Sequence, residues 1–246
     1  MKRSVVLGRL ATSVAAGDAD EPLATRLCRA CVEILGADGG SITLAPTEPE
    51  RLTVSATDRN SARMEDLQDV LGEGPGHEAY RDGHAVVANV DGSGDGRFPL
   101  FDELVRDITG PVTVWSIPMH PGGHTIGVVT LYRLLGPLAG DLEDAQFLAD
   151  AVGAALLDDA AGEEAPFAGW SDRARVHQAT GMVVVQLVVA PEDALALLRA
   201  HAFSEASTLD EVARAVTERR LTFADTTSGS DVDEALPDDS TGMDGS

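Results

Sequence analysis

The sequence predicts an α+β protein: an N-terminal antiparallel sheet with flanking helices, then a small C-terminal three-helix bundle and an acidic disordered tail. Helical and strand patterns alternate over the first 160 residues, and a PGG turn separates two strand-like segments. Three helical patterns follow residue 169. A chain of 246 residues can form one sizeable domain and one smaller one. We therefore divide it into residues 1–160, a linker at 161–169, a helical unit at 170–224 and a tail at 225–246.

The elements of the first unit follow from their apolar periodicity. Two amphipathic helices are predicted at about residues 3–16 and 21–36. Two short strands, GGSITLAP and RLTVSAT, are joined by a Pro/Glu-rich turn and form a hairpin. The segment SARMEDLQDVLG is predicted to be a helix, HAVVANV a strand and FPLFDELVRDI a short helix.

The second half of this unit contains a stronger hairpin signal. The segments GPVTVWSIPMH and HTIGVVTLYRL flank PGG, a sequence typical of a tight turn. A long helix at residues 141–160 closes the unit and covers one face of the sheet. Its apolar positions repeat with helical spacing at Ala145, Leu148, Ala149, Val152 and Leu156.

Three helices are predicted beyond the linker. The first runs from about Ser171 to Val188, although its run of valines is also compatible with a strand. The second starts at Pro191, and the acidic residues after it favour a helix N-terminus. In the third, Thr208 and Glu211 have the spacing of a capping box. Because the unit is so small, its three helices must bury their apolar faces against one another or against a partner chain.

The charge of the chain is strongly negative and unevenly placed. A formal net charge of −23 disfavours nucleic acid and anionic lipid as partners of the whole protein. Seven acidic residues and no basic one lie at 225–246, a composition that predicts disorder. Residues 170–223 hold six arginines against seven carboxylates. Binding to nucleic acid is therefore compatible only with the nearly neutral helical unit.

No segment predicts a membrane span or a secretion signal. The longest apolar run, GMVVVQLVV, is broken by Gln186 and stopped by Pro191, well short of the ~18 residues that a span needs. The N-terminus starts with basic residues, but its apolar part is interrupted by Gly8 and Arg9. We expect a cytoplasmic protein with no membrane partner.

The residues that most often carry chemistry do not form a catalytic or metal-binding pattern. Cys28 and Cys31 lie at helical spacing and are predicted to be buried as small apolar side chains; the alternative, a redox or metal pair, lacks two further ligands nearby. His120 and His124 bracket the PGG turn without carboxylate or thiol companions. We expect no enzyme activity, no metal and no cofactor.

The helical unit resembles the ANTAR domain, an RNA-binding antitermination module with characteristic residues in all three helices. The match covers about 45 residues, in RVHQATGMVVVQLVVAPEDALALLRAHAFSEASTLDEVARAV. The matching positions are Ala179, Thr180 and Gly181, then Ala194, Leu197, Leu198, Arg199 and Ala202, then Leu209, Val212 and Ala213. Many relatives carry lysine where this chain has Thr180, which removes one phosphate contact.

The N-terminal unit resembles GAF domains, which are small-molecule sensors, over about 150 residues. The resemblance is carried by LGEGPGHEAYRDGHAVVANV and SIPMHPGGHTIGVVTLYR. It implies an unidentified small-molecule ligand, with Gly74, Pro75, Phe98 and Trp115 as pocket residues. The GEGPG segment lacks the lysine and Ser/Thr of a phosphate-binding loop, and a helix-capping loop is its alternative role. Relatives often have tryptophan-proline where this chain has Phe98 and Pro99.

Together the two units resemble a GAF-ANTAR transcription antitermination regulator of actinobacterial type. The resemblance implies that the sensor controls binding to hairpins in nascent transcripts, with Ala179, Thr180, Gly181, Arg199 and His201 as RNA-binding residues. Small residues allow a nucleobase or phosphate to approach closely, although close helix packing uses the same residues. Arg199 suits a phosphate or an unpaired loop base, with a solvated helix face as the alternative.

Two other classes of function compete with this interpretation. In the first, the chain is a non-enzymatic adaptor that dimerises through the GAF-like unit and docks another protein. In the second, it is a GAF-fold sulfoxide reductase, but Cys28 and Cys31 lie in a helical pattern away from the expected pocket. We expect a homodimer, with the helix at 141–160 as a dimer element. The acidic tail is predicted to compete with RNA for the arginine-bearing face.

Overall fold

The computed structural model describes residues 2–47, 50–92, 96–162 and 170–223. Most of the predicted linker and the whole of the predicted acidic tail lie outside these residues. The described part contains a five-stranded antiparallel sheet with helices on both faces, followed by three further helices. The predicted α+β class and its antiparallel sheet are confirmed.

The sheet consists of β1 (Gly39–Thr47), β2 (Glu50–Ala56), β3 (Val86–Val90), β4 (Val112–Met119) and β5 (Gly127–Arg133), in the spatial order β2-β1-β5-β4-β3. Every neighbouring pair is antiparallel. Both predicted hairpins are present, β1 with β2 and β4 with β5. The PGG segment forms a single 3-10 turn in which Gly122 has a φ of 80°, a conformation that glycine adopts at little cost.

One face of the sheet is covered by α1 (Arg3–Ala16), α2 (Leu23–Leu35) and α6 (Leu142–Gly162). The predicted core positions of α6, from Ala145 to Leu156, are buried there. Cys28 and Cys31 are also buried in this layer, as predicted for small apolar side chains. Burial raises the pKa of the Cys28 thiol to about 12, so the sulfur stays protonated and is a poor nucleophile or metal ligand.

The other face is covered by α3 (Arg59–Leu71), α4 (Pro75–Asp82) and α5 (Pro99–Thr109). The sequence analysis did not predict α4, because its first turn lies in a glycine-rich segment and the helix is short. Its boundaries nevertheless follow local rules. Pro75 occupies the first turn, where its missing N–H costs nothing, and Gly83 ends the helix with a φ of 66°.

The three C-terminal helices are α7 (Trp170–Leu187), α8 (Pro191–Ser204) and α9 (Leu209–Thr217), and we refer to them as the helical unit. The run of valines is helical, which settles the alternative left open by the sequence. The capping box of Thr208 and Glu211 is formed as predicted. The three helices share one core, to which Ala179, Val183, Ala194, Leu198, Ala202, Val212, Ala213, Val216 and Phe223 contribute.

The helical unit packs against α3 of the sheet unit. Val70, on α3, is buried in the same apolar core as the three C-terminal helices, and both α8 and α9 contact α3. Within the described residues, no single helix is long and apolar enough to cross a membrane. Only when part of α7 (Gln178–Leu187) and α8 are taken together are they long and apolar enough, and the two are bent by 105° relative to each other.

Candidate functional site

A row of three hydroxyl side chains crosses the centre of the sheet. Ser41 on β1 pairs with Thr130 on β5, and Thr130 pairs with Ser116 on β4, so all three side chains point to the face covered by α3 and α4. They are 1%, 3% and 0% exposed, respectively. The hydroxyls of Ser116 and Thr130 have no hydrogen-bond partner among the described residues. A buried hydroxyl without a partner is costly and marks a place where a ligand can contribute one.

Glu65 on α3 lies over this row and organises the polar groups around it. Its carboxylate is buried and accepts hydrogen bonds from Ser41 Oγ at 2.8 Å, from an Arg51 guanidinium nitrogen at 2.9 Å and from Gln68 Nε2 at 3.1 Å. Three donors, one of them cationic, offset the cost of burying this charge. Glu65 and Gln68 are three residues apart and therefore share one face of the helix.

Arg51 on β2 joins Glu65 to Asp69, one turn further along α3. Its side chain is only 4% exposed, and a second guanidinium nitrogen donates to Asp69 Oδ1 at 3.1 Å. The remaining Nε donor is buried without a described partner. We call Ser41, Arg51, Glu65, Gln68, Asp69, Ser116 and Thr130 the polar cluster. It holds one unused N–H donor and two hydroxyls that can both donate and accept.

The glycine-rich segment predicted to form a pocket wall lies against this cluster. The Gly76 N–H donates to Gln68 Oε1 at 2.6 Å. A Cβ on Gly74 would lie 2.7 Å from Gln68 Cγ, and Gly74 has a φ of 141°, so both space and conformation require glycine there. Gly74 and Pro75 also form the N-cap and first turn of α4. The segment therefore has the predicted helix-capping role and borders the polar cluster.

Of the two aromatic residues predicted for the pocket, Phe98 lies on the same side of the sheet as the polar cluster and Trp115 on the other. Phe98 caps the start of α5 and is buried among the apolar residues beneath α5. Trp115 points to the opposite face of the sheet, towards α2 and α6, because side chains alternate along β4 and Ser116 faces the polar cluster. The sheet thus separates Trp115 from Gly74 and Pro75, and the four predicted residues do not form one pocket.

None of the residues of the polar cluster was predicted as a site residue from the sequence. The available signal was weak: single polar residues at Ser41, Ser116 and Thr130 interrupt strands that are otherwise largely apolar, and Glu65 falls on the apolar side of α3. Buried polar residues of this kind are more informative than exposed ones. The pairing of the three strands, which are far apart in the chain, is needed to place the hydroxyls in one row.

His77 and Asp69 lie where α3 meets α4, beside the polar cluster. The His77 Nε2 atom donates to the Gln68 carbonyl at 3.1 Å. Burial, together with the positive charges of Arg51 and Arg199, lowers the pKa of His77 to about 3, so its ring is neutral at pH 7. Burial also raises the pKa of the Asp69 carboxyl to about 6, although Arg51 acts in the opposite direction.

Arg199 of α8, predicted to contact RNA, binds the end of α3 in this structure. Its Nε donates to the Asp69 carbonyl at 3.0 Å, and its guanidinium lies so close to Gly72 that a Cβ there would be 3.0 Å from it. The Asp69 carbonyl is among the last four of α3, which have no partner within the helix. Hydrogen bonds therefore run without a break from Ser41 through Glu65, Arg51 and Asp69 to Arg199.

The other residues predicted to bind RNA lie in different environments. Ala179 is fully buried in the core of the helical unit. The Thr180 hydroxyl donates to the Val176 carbonyl at 2.8 Å. His201 packs edge-on against Phe223, with 5.6 Å between the ring centres. Gly181 is exposed, and no described atom lies within 4 Å of the position of an added Cβ.

His120 is held by protein groups. Its Nδ1 lies 3.0 Å from Asp150 Oδ1, and its Nε2 lies 3.1 Å from the Gly83 carbonyl. In the part of the chain that the structure describes, no three His, Cys, Asp or Glu side chains are grouped so as to hold a metal ion. The ring instead links the PGG turn to α6 and to the end of α4.

The fold is an antiparallel sheet between two helical layers with a buried polar cluster on one face, an arrangement compatible with a small-molecule sensing or regulatory domain. A family model described as GAF domain matches residues 20–156. The chain therefore belongs to the GAF domain family. The match includes every residue of the polar cluster. No curated protein matches the chain significantly.

Solved structures to which the chain is similar include GAF domains of bacterial proteins. The GAF domain of a phosphoenolpyruvate-protein phosphotransferase from Coxiella burnetii is 17% identical, with a TM-score of 0.45, and the alignment covers 65% of this chain and 96% of that one. The GAF domain of nlh2 from A. aeolicus, in an inactive state, is 15% identical with a TM-score of 0.40, covering 62% and 91%.

Proposed function

We propose that this chain is a non-enzymatic, cytoplasmic transcription antitermination regulator. Its GAF domain senses a small molecule and controls the binding of the ANTAR-like helical unit to hairpins in nascent transcripts. Membership of the GAF family supports the sensing half of this function. The residues shared with ANTAR domains, spaced across all three C-terminal helices, support the RNA-binding half.

The observation that carries the RNA-binding half is the open position of Gly181. A glycine inside a helix costs about 1 kcal/mol relative to alanine. Close helix packing is the alternative explanation, but apart from its chain neighbours and the backbone of α7 itself no described atom lies within 4 Å of an added Cβ, which supports the RNA-binding role. An exposed helix face without side-chain bulk suits close approach by an RNA backbone or an unstacked base.

The polar cluster indicates the chemical class of the sensed molecule. Its unpartnered groups are the Arg51 Nε donor and the hydroxyls of Ser116 and Thr130. Apolar residues such as Met64 and Ala79 surround this face of the sheet. We therefore propose a small polar ligand that offers both hydrogen-bond donors and acceptors. A purely apolar ligand would leave these three groups unsatisfied.

The proposed function is tested by titrating the full chain with hairpin RNA in a filter-binding assay at several salt concentrations. We expect affinity to fall as salt rises, because phosphate contacts release counterions. Affinity should be lost in Arg199→Ala. The matched control is Arg214→Ala, because Arg214 lies on α9 in an exposed pair with Asp210 and no RNA contact is proposed for it. Absence of binding at low salt would reject the RNA-binding half.

A protein-interaction adaptor is the second candidate, and one observation favours it. Val185 on α7 is 78% exposed and lies one turn after Gly181, and Val188, just beyond the end of α7, is 90% exposed. We also propose a homodimer through α1 and α6, whose exposed apolar residues include Val5, Leu7 and Leu157. Sedimentation of the full chain at several concentrations tests the dimer.

A further inference from the structure

The contact between Arg199 and α3 uses the same guanidinium that the proposed function assigns to RNA. Its Nε is 3.0 Å from the Asp69 carbonyl, and its Nη1 lies against Gly72. A carbonyl at the C-terminal end of a helix carries partial negative charge and attracts a cation. A guanidinium held there cannot at the same time offer its Nε edge to a phosphate, and Nη1 is crowded by Gly72.

Apolar contacts hold the helical unit in the same position. Val70, one residue after Asp69, is buried in the core of the helical unit beside residues such as Leu198 and Val212. Arg199 and Val70 therefore join α8 to α3 by one hydrogen bond and one apolar contact side by side.

The packing between the two units is incomplete. A groove of about 350 Å³ lies between α3, α5 and the connection from α8 to α9. Leu67, Leu104, Ile108 and Phe203 contribute apolar walls, and Phe203 is 50% exposed. Interfaces inside a chain that are small and partly open allow relative motion of the units they join. The groove therefore leaves one side of the contact between α3 and α8 open to solvent.

We propose that docking of the helical unit on α3 is autoinhibitory: Asp69 and Gly72 retain Arg199 in an arrangement that binds RNA weakly, and undocking exposes the RNA-binding residue. This inference rests on the proposed function. The polar cluster lies on the same helix and reaches Asp69 through Arg51, so a ligand that draws Arg51 or Glu65 away changes the contacts of the residue that holds Arg199. The sensing site and the docking site share α3.

The test is a charge substitution in the groove that does not touch Arg199. Asp66 and Asp107 line the groove and are exposed, as is Arg63. Phe203→Glu adds a negative charge opposite the two carboxylates and should favour undocking, whereas Phe203→Lys is the matched control that favours docking. Phe203 is half-exposed, so both variants are expected to fold.

Hairpin-RNA affinity and hydrogen–deuterium exchange are measured on the full chain of each variant. We expect Phe203→Glu to exchange faster at residues 65–72 and to bind RNA about tenfold more tightly than wild type. Phe203→Lys should bind no more tightly than wild type. These two variants separate docking from simple charge attraction to RNA. If charge attraction alone decided affinity, the added negative charge of Phe203→Glu would weaken RNA binding and the added positive charge of Phe203→Lys would strengthen it.

A second variant, Val70→Ser, weakens docking from the sensor side, and Val112→Ser is its control because Val112 is equally buried but belongs to the core beneath α5. Faster exchange at residues 65–72 without tighter RNA binding would overturn autoinhibition while leaving RNA binding intact. If wild type and all variants fail to bind RNA at low salt, the proposed function fails and this inference falls with it.

Discussion

Replacing Thr130 with valine tests whether the Thr130 hydroxyl is free to bind a ligand. The Thr130 hydroxyl is buried at the centre of the hydroxyl row and has no partner among the described residues. Valine has nearly the same shape and exchanges this hydroxyl for a methyl group. The matched control is Thr43→Val, because Thr43 faces the same side of the sheet and is 1% exposed, but its hydroxyl lies 3.0 Å from Thr53 Oγ1.

The two substitutions should have opposite effects on the free energy of unfolding. A buried hydroxyl without a partner costs roughly 1–3 kcal/mol, so Thr130→Val should stabilise the ligand-free protein by about 1 kcal/mol or more. Thr43→Val breaks one hydrogen bond between side chains and should destabilise by about 1 kcal/mol. The expected difference between the variants is therefore about 2 kcal/mol, which is well above the error of a comparison within one series.

Urea unfolding followed by tryptophan fluorescence measures this difference. Trp115 is buried in the GAF domain and reports its unfolding. The chain has one other tryptophan, Trp170, which is replaced by phenylalanine in all samples. A shift of the midpoint without a change in the slope is read as a change in stability. If Thr130→Val destabilises as much as Thr43→Val, the Thr130 hydroxyl has a partner in solution and the proposal that it is free to bind a ligand is wrong.

Three further predictions concern single residues of known environment. Gly181→Ala should raise the free energy of unfolding by up to about 1 kcal/mol in urea unfolding, because the added methyl group fits without a clash. Gly181→Leu should weaken hairpin-RNA binding. A destabilised Gly181→Ala variant would show that the position is packed. The pKa of His77 is about 3 in the folded protein and near 6.5 in the unfolded chain, so the unfolded chain takes up a proton first as the pH falls. Between pH 7 and pH 5, the free energy of unfolding of wild type should therefore fall by about 2 kcal/mol more than that of His77→Gln. Parallel pH profiles of the two proteins in urea unfolding would contradict this. Thr208→Ala removes one half of the capping box and should cost about 1 kcal/mol of stability by thermal or urea unfolding, whereas Thr217→Ala, at the exposed end of α9, should cost less.

Much of the fold was accessible from the sequence because local rules decide it. The hairpin around Gly122 and the start of α8 at Pro191 follow from turn and cap chemistry within a few residues. The buried positions of α6 follow from helical periodicity. By contrast, α4 was missed because Gly74 and Gly76 look like loop residues until Gln68 is seen to pack against their backbone.

Only part of the candidate site was accessible in this way. The sequence indicated Gly74 and Pro75, which do border the polar cluster, but it grouped them with Trp115, which the alternation of β4 puts on the other face. Ser41, Thr130 and Ser116 form a row only because three strands pair in one register. Register depends on the packing of both faces of the sheet, which no short window of sequence contains.

The sequence by itself determined most of the helices and strands, α4 excepted, the burial of both cysteines, and the position of an acidic segment without basic residues at 225–246. These properties depend on neighbours a few positions apart. Only the tertiary structure decided that a buried carboxylate, an arginine and three hydroxyls share one site, and that Arg199 binds the carbonyl of Asp69, 130 residues away. Contacts over such a distance depend on how whole elements pack, and the free energy of that packing is spread over the entire core.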